Sequence, residues 1–254
     1  MLEIRHLSAG YPGNPVLRDI SLTIPGGAVT VIAGPNGCGK STLLKALTGI
    51  LPAAGSATLD GQELLGIPGR ERARLVAFLP QNRQVPEITA KNLVLHGRFP
   101  YLSYPRRYRQ EDLTAAEAAM EKMGIGDLAE RRLNTLSGGQ RQKVYIAMAL
   151  AQDTPVVLLD EPNAFLDIAH QLQLMEQARA LAGEGKTVVL VLHDLTMALE
   201  CADSLAVLGE GTCLLQGSPE EVFLSGCLNR AFGVEVRRFR TPEGWKYYYG
   251  GKTD

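Results

Sequence analysis

One short stretch of the sequence combines glycines, a lysine and two hydroxyl side chains at the spacing that binds phosphate. It follows the pattern Gly, four residues, Gly-Lys-Ser, and the apolar run 29–33 supplies the strand that this pattern requires. Glycines let backbone N–H groups approach phosphate oxygens, the lysine adds positive charge, and a serine hydroxyl can bind a Mg²⁺ ion that bridges the phosphates. The full match disfavours the alternative, a glycine-rich turn that binds nothing. The residues assigned to this loop are Gly34, Asn36, Gly37, Cys38, Gly39, Lys40, Ser41 and Thr42.

Carboxylates and an amide follow two other apolar runs. Asp160 and Glu161 come directly after the run Val-Val-Leu-Leu, and Gln81 lies two residues after Leu79. Open α/β sheets bind ligands at the carboxyl ends of their strands, so these side chains are expected at a ligand site. Asp160 and Gln81 are assigned to the Mg²⁺ ion together with Ser41, and Glu161 can orient or deprotonate a water that attacks a γ-phosphate. An ordinary exposed glutamine is the alternative for Gln81.

A second candidate anion site lies at a predicted helix start. The run Ser137, Gly138, Gly139 and Gln140 precedes a helix with an apolar face. Exposed N–H groups, a hydroxyl and the positive end of the helix dipole favour an anion there. Taken alone, the run is better explained as a serine-capped helix whose glycines serve packing.

Two further side chains can contact a nucleotide. His193 follows the apolar strand 187–192 and can reach a γ-phosphate, although it can also be a neighbour of a helix cap that Asp194 satisfies. Tyr11 lies in a turn region between two predicted strands. Its ring can stack on a base or be a plain turn tyrosine, and its position alone leaves both interpretations open.

The order of the predicted elements indicates an α/β protein. The chain begins with antiparallel strands, and alternating strands and helices follow, with a hairpin over 203–216 and a β-type tail over 234–249 in which we find no chemistry. Residues from about 86 to 152 have a helical pattern and few β-branched runs. We therefore predict one domain over 1–254, with a core formed by 1–85 and 153–254 and a helical subdomain formed by 86–152.

A cluster of arginines and aromatic residues lies in the helical segment. Such a cluster can grip nucleic acid or dock a protein partner, and it can also be a solvated loop over packed aromatic rings. Its members are Arg98, Phe99, Tyr101, Tyr104, Arg106, Arg107, Tyr108 and Arg109.

Composition limits the class of protein. The 254 residues carry a net charge of −1 and are 45% hydrophobic, which gives no overall basic excess for a nucleic-acid binder. The apolar runs are far shorter than the roughly 20 residues of a membrane span, and the N-terminus lacks the apolar core of a signal peptide. Four cysteines without close-pair spacing fit a reducing compartment. We expect a cytoplasmic location.

In chain order, these motifs make the sequence similar to an ATP-binding-cassette ATPase, from Tyr11 to at least Gln216. The resemblance implies an α/β P-loop NTPase core with a mixed sheet, an antiparallel β subdomain and a helical subdomain, with ATP and Mg²⁺ as ligands. It assigns adenine stacking to Tyr11, the Q-loop to Gln81, the signature sequence to 136–140, the Walker B pair to Asp160 and Glu161, the D-loop to Asp167 and the switch histidine to His193.

The resemblance also implies partners. Two copies of such a chain sandwich two ATP molecules, each held by the phosphate loop of one copy and by Ser137 to Gln140 of the other. Separate permease chains and, indirectly, an upstream substrate-binding protein complete the transporter, which places the chain at the cytoplasmic face of the membrane without nucleic acid. The segments 97–101 and 165–171 resemble importers for iron-siderophore, haem or cobalamin. The sequence departs from the general family pattern at Asn163, where threonine is usual, and at Phe165, where a small residue is also common. The alternative is a soluble cassette ATPase that acts on nucleic acid or ribosomes.

Overall fold

The computed structural model describes residues 1–164, 166–242 and 244–251, and these divide into two compact units. The first unit comprises Met1–Ile67 and Ala178–Asp254, and the second comprises Pro68–Gln177. The segment predicted to be helical, 86–152, lies entirely within the second unit. The division into a core and a helical subdomain at 85/86 and 152/153 stays a prediction. Phe165, which belongs to one of the subfamily motifs, lies outside the described residues.

The elements alternate along the chain as an α/β protein requires. In the described residues the strands are β1 (Leu2–Tyr11), β2 (Asn14–Ile24), β3 (Val29–Ala33), β4 (Ala53–Leu59), β5 (Gln62–Glu63), β6 (Val76–Leu79), β7 (Val156–Asp160), β8 (Thr187–Val191), β9 (Ser204–Gly209), β10 (Thr212–Gly217), β11 (Val234–Thr241) and β12 (Gly244–Gly251). The helices there are α1 (Lys40–Leu47), α2 (Gly69–Arg72), α3 (Ala90–His96), α4 (Gln110–Lys122), α5 (Gly138–Ala151), α6 (Ile168–Gly183), α7 (Leu195–Cys201), α8 (Pro219–Leu224) and α9 (Cys227–Phe232).

The first unit contains the predicted antiparallel sheet, in the order β2-β1-β4-β5. Strands β1 and β2 form a hairpin in which Leu2 pairs with Ile24 and Tyr11 pairs with Asn14. Alternate residues of both strands, such as Leu2 and Ile4, are buried, which is the period expected for a sheet with one face on the core. The hairpin turn contains Gly13 at φ 75°.

A second group of strands in the first unit is mainly parallel. Strand β3 pairs in parallel with β8 and with β9, and β9 pairs in antiparallel fashion with β10. All five residues of β3 and all five of β8 are buried, which explains why both strands are continuous apolar runs in the sequence. The combination of parallel and antiparallel pairs confirms the predicted mixed sheet of an α/β fold.

The second unit is rich in helices. Helices α3 and α4 both pack on α5, and α3 and α5 each begin at a residue whose side chain caps the helix. Thr89 accepts a hydrogen bond at the start of α3, and Ser137 does so at the start of α5. This unit also holds β6 and β7, which pair in parallel with Leu79 opposite Leu159.

The C-terminal tail forms the antiparallel hairpin β11–β12, which confirms its predicted β character. The Arg238 guanidinium lies 4.1 Å from the Trp245 ring centre and 4.9 Å from that of Phe223 on α8. The contact with Trp245 lies within the hairpin, and the contact with Phe223 connects the hairpin to α8. Among the described residues, no helix is both long enough and apolar enough to cross a membrane.

Candidate functional site

The phosphate loop connects β3 to α1 and has no room for side chains at two of its glycines. Gly39 has φ 107°, and a Cβ built there would collide with the side chain of Leu17. A Cβ at Gly34 would lie 2.5 Å from the carbonyl oxygen of Leu208. Positive φ and close packing are both incompatible with a larger residue. The loop backbone therefore has the shape that exposes N–H groups to a bound anion.

Lys40 provides the positive charge of this loop. It is 6% exposed, and its Nζ donates hydrogen bonds to the carbonyl oxygens of Gly34 at 2.6 Å and Pro35 at 2.9 Å. The ammonium group is therefore held inside the curve of the loop. Gly39 precedes α1 and has no side chain to cap the helix. The backbone N–H groups of Lys40, Ser41 and Thr42 in the first turn are therefore suited to bind an anion.

Cys38 lies in the same loop with its thiol packed inward, and the residue is 5% exposed. Burial raises the pKa of the thiol, and the nearby Lys40 charge lowers it by a smaller amount. The thiol is therefore mostly protonated at neutral pH and reacts slowly as a nucleophile.

Tyr11, the candidate for base stacking, lies at the end of β1 and is 44% exposed. Its hydroxyl accepts a hydrogen bond from Lys45 Nζ at 3.2 Å, and Lys45 lies on α1. The exposed ring is thus attached to the helix that begins in the phosphate loop. This arrangement is compatible with a stacking role.

In the second unit, the structure brings Gln81 and Glu161 into direct contact. Leu79 and Leu159 are register partners on parallel strands, so residues two positions later leave the same edge side by side. Gln81 Nε2 donates a hydrogen bond to Glu161 Oε2 at 2.5 Å. Asp160, the last residue of β7, is 1% exposed. Glu161 has φ 50°, a left-handed backbone conformation that non-glycine residues rarely adopt.

The signature residues form a reciprocal helix cap. Ser137 Oγ accepts from the Gln140 N–H at 3.2 Å, and Gln140 Oε1 accepts from the Ser137 N–H at 3.0 Å. The serine-capped helix of the alternative interpretation is therefore present, and the cap uses the N–H groups of Ser137 and Gln140. The capped turn and Asp167 line one cavity of about 680 Å³.

Asp167 and His170 hold each other at the start of α6. Asp167 Oδ1 accepts from the backbone N–H of His170 at 2.9 Å and lies 2.8 Å from His170 Nδ1. The backbone hydrogen bond, followed by the contact with the imidazole, lowers the pKa of the Asp167 carboxyl. The carboxylate is therefore ionised and fixed in direction.

His193 follows β8 in the first unit and is exposed. The next residue, Asp194, caps α7 by accepting hydrogen bonds from the N–H groups of Thr196 at 2.8 Å and Met197 at 3.2 Å. The carboxylate of Asp194 thus acts as the N-terminal cap of α7. An exposed imidazole at the carboxyl end of a buried strand has the position expected of a ligand-contacting side chain.

The arginine and aromatic cluster separates into two groups. Arg98 forms an ion pair with Asp112 at 3.1 Å and stacks on Tyr101 at 4.0 Å. These contacts join residues within the second unit. Tyr104 is 97% exposed, and its neighbours Arg106 and Arg107 are exposed.

Sequence reasoning missed a second set of polar contacts beside Glu161. Gln142 is 3% exposed on α5, and it bonds to both Arg83 and the backbone of Pro162. Its position was detectable, because it shares the apolar face of the helix with Ile146 and Ala149 at spacings of four and seven residues. The sequence gives no corresponding signal for Arg83.

Comparison with known proteins gives one family. The ABC transporter family model matches residues 17–164. The chain is 43% identical over 244 residues to the ferric enterobactin transport ATP-binding protein of Escherichia coli (strain K12), with 95% of this chain and 90% of the relative covered. It is also 43% identical over 243 residues to a hemin import ATP-binding protein of Nocardia farcinica, with 95% of this chain and 84% of the relative covered.

Solved structures agree with this result. A metal-chelate type ABC transporter in an inward-facing conformation superposes with a TM-score of 0.84 at 26% identity, covering 99% of this chain and 97% of that chain. The cbiO1 protein of Clostridium perfringens, part of an ABC transporter complex, superposes with a TM-score of 0.75 at 27% identity, covering 91% of this chain and 95% of that chain.

Proposed function

The chain belongs to the ABC transporter family as an ATP-binding, ATP-hydrolysing subunit, and on this premise we propose that it drives import of iron-siderophore complexes or haem through separate permease subunits. The observation that carries the catalytic part of the proposal is the 2.5 Å hydrogen bond from Gln81 to Glu161. It fixes a carboxylate at the end of β7, directly after Asp160. Relatives named for siderophore and hemin import support the class of cargo.

The proposed roles follow from side-chain chemistry. Glu161 accepts the proton of the attacking water. Gln81 orients the Glu161 carboxylate through the hydrogen bond that its amide nitrogen donates. His193 contacts the γ-phosphate from the end of β8. Bound ATP supplies the phosphoryl group whose transfer to water releases the energy for transport. The phosphate loop neutralises the phosphates with Lys40 and the N–H groups of the first turn of α1.

The donor set fits a Mg²⁺ ion. Mg²⁺ prefers hard oxygen ligands, and the assigned residues offer the Ser41 hydroxyl, the Asp160 carboxylate and the Gln81 amide oxygen. The hydrogen bond to Glu161 uses the amide nitrogen of Gln81, so the oxygen is the atom suited to a cation. Asp160 is 1% exposed, and carboxylates at that depth are paired or coordinate metals.

We also propose the partners. A second copy of the chain presents Ser137 to Gln140 and Asp167 to the ATP held by the first copy, and the capped, glycine-containing turn beside a 680 Å³ cavity supports this. The permease subunits hold the chain at the cytoplasmic face of the membrane and receive cargo from a substrate-binding protein. Neither the geometry nor the relatives named above support the alternative, an ATPase acting on nucleic acid or ribosomes.

The test is reconstitution with the cognate permease subunits in proteoliposomes. We expect ATP-dependent uptake of a ferric siderophore or of haem, and we expect the chain to co-purify with the permease from detergent-solubilised membranes. A chain that hydrolyses ATP but neither binds any permease of this class nor supports uptake would contradict the proposed function.

A further inference from the structure

A buried hydrogen-bonded network joins three segments of the second unit around Glu161. We propose that Gln142 is a positioning residue for ATP hydrolysis, and that it acts with Arg83 to tie the Q-loop and the signature helix α5 to the backbone that carries Glu161. The inference rests on the proposed role of Glu161 as the general base.

Gln142 is placed to hold the turn after Glu161. Its Nε2 donates a hydrogen bond to the carbonyl oxygen of Pro162 at 2.5 Å, and its Oε1 accepts one from Arg83 Nη2 at 2.6 Å. The residue is 3% exposed, and its hydrogen bond to the Pro162 carbonyl is buried, while the one from Arg83 is partly buried. A buried amide requires such partners, and in this environment each contact is costly to lose.

Arg83 extends the network to the Q-loop. Its guanidinium lies 4.5 Å from the centre of the Tyr145 ring, and Tyr145 is on α5 one turn after Gln142. The Tyr145 hydroxyl donates a hydrogen bond to the carbonyl oxygen of Gln84 at 2.6 Å. The loop that begins with Gln81 is therefore attached to α5 at two points.

The backbone of Glu161 needs external support. Its φ of 50° is in the left-handed region, and such conformations persist only where surrounding contacts hold them. The turn has the Ala164 N–H donating to Glu161 O at 3.2 Å, and Gln142 holds the next carbonyl, that of Pro162. Gln81 fixes the Glu161 side chain. Gln142 thus restrains the backbone, while Gln81 restrains the carboxylate.

The position of Gln142 on α5 connects the signature turn to the backbone near Glu161. Gln142 lies two residues after Gln140, the end of the reciprocal cap that starts the helix. A movement of the signature turn therefore displaces Gln142, and this displacement reaches the Pro162 carbonyl through one hydrogen bond. Contact of the signature turn with a nucleotide and the placement of Glu161 are coupled by this route.

The first test compares Gln142 on α5 with Gln152, the residue that follows the last residue of α5. Gln142→Leu should lower kcat for ATP hydrolysis about tenfold with KM for ATP within about twofold, because a buried carbonyl loses its donor and the base loses its fixed position. Gln152→Leu is the matched control. Gln152 Nε2 also donates to backbone carbonyls, those of Ala73 at 2.5 Å and Val76 at 3.2 Å, but it does not contact the turn after Glu161. The control should keep kcat even if its melting temperature falls equally.

A second variant separates the two contacts of Gln142. Gln142→Glu keeps the size of the side chain and an acceptor for Arg83, whose positive charge favours the ionised carboxylate, and a carboxylate cannot donate to the Pro162 carbonyl. The kcat of Gln142→Glu should fall by at least the same factor as that of Gln142→Leu. If the leucine variant does not fold, the kcat of Gln142→Glu tests the positioning role. Normal kcat in a folded Gln142→Glu protein would overturn the proposal.

The background of Glu161→Gln distinguishes positioning from general stability. If Gln142 acts through Glu161, adding Gln142→Leu to Glu161→Gln should leave the small residual turnover unchanged within about twofold. A further tenfold loss in the double variant would contradict the proposal. If Glu161→Gln alone turns over normally, the role of Glu161 fails first. If that variant is slow while Gln142→Leu is normal, only the positioning role fails.

Discussion

Replacing Glu161 with glutamine removes a proton acceptor and changes little else. The two side chains have the same size, and the Gln81 amide that donates to Glu161 Oε2 at 2.5 Å can also donate, more weakly, to an amide oxygen. The contact that fixes the side chain therefore survives. The phosphate loop belongs to the other unit and keeps its backbone N–H groups and Lys40. We expect ATP affinity to remain within a few-fold of the unmodified protein.

The loss of the base sets the size of the kinetic effect. General base catalysis contributes about 10² to 10⁴ in rate, which corresponds to about 3 to 5 kcal/mol of transition-state stabilisation. The kcat of Glu161→Gln should fall by that factor. The matched control is Glu121→Gln, which makes the same chemical change at an exposed position on α4 and should leave kcat unchanged.

Three measurements check this prediction. Phosphate release gives kcat, binding of a fluorescent ATP analogue gives affinity, and size-exclusion chromatography with light scattering gives the oligomeric state. With ATP and Mg²⁺, the variant should accumulate as a dimer because ATP is bound but not consumed. Turnover near that of the unmodified protein would refute the role of Glu161, and a variant that stays monomeric would refute the shared nucleotide site.

Further predictions concern the phosphate loop and the ion pair between Arg98 and Asp112 in the second unit. Alkylation of Cys38 without ATP should lower ATP hydrolysis, and because burial raises the thiol pKa, labelling should accelerate as pH rises above neutral; full labelling with unchanged activity would contradict this. Gly39→Ala should abolish ATP binding in equilibrium titrations and destabilise the protein by about 1–3 kcal/mol, because φ 107° and the Leu17 side chain exclude a Cβ. Arg98→Met should lower stability by about 3–5 kcal/mol in urea unfolding, because Asp112 stays buried without its 3.1 Å partner; a loss below 1 kcal/mol would show that the pair is dispensable.

Sequence patterns were sufficient for the type and order of most elements. The alternation of β1 and β2, the continuous apolar runs of β3 and β8, and the glycine-rich loop before α1 each follow from local rules of period and backbone freedom. The ordered motifs predicted the ABC family, which the comparisons confirm. The roles of individual site residues stay predictions.

Local patterns left the arginine and aromatic cluster open because they do not say which of its side chains pack against distant segments. Arg98 and Tyr101 are engaged within the second unit, whereas Tyr104 is 97% exposed. Burial depends on how distant segments pack, since the partners of Arg98 and Tyr101 lie on α4 and at the end of α5.

The sequence by itself determined which chemical groups are present and on which elements they lie, because glycine spacing, helix caps and apolar periods act over a few residues. Only the tertiary structure decided which groups meet. The register of β6 and β7 places Gln81 against Glu161 across 80 positions of the chain. The folding of α5 beside the turn at Pro162 brings in Gln142, which no motif includes. Such contacts are set by strand pairing and helix packing between distant segments, and a local pattern can indicate a buried face but does not say which segment packs on it.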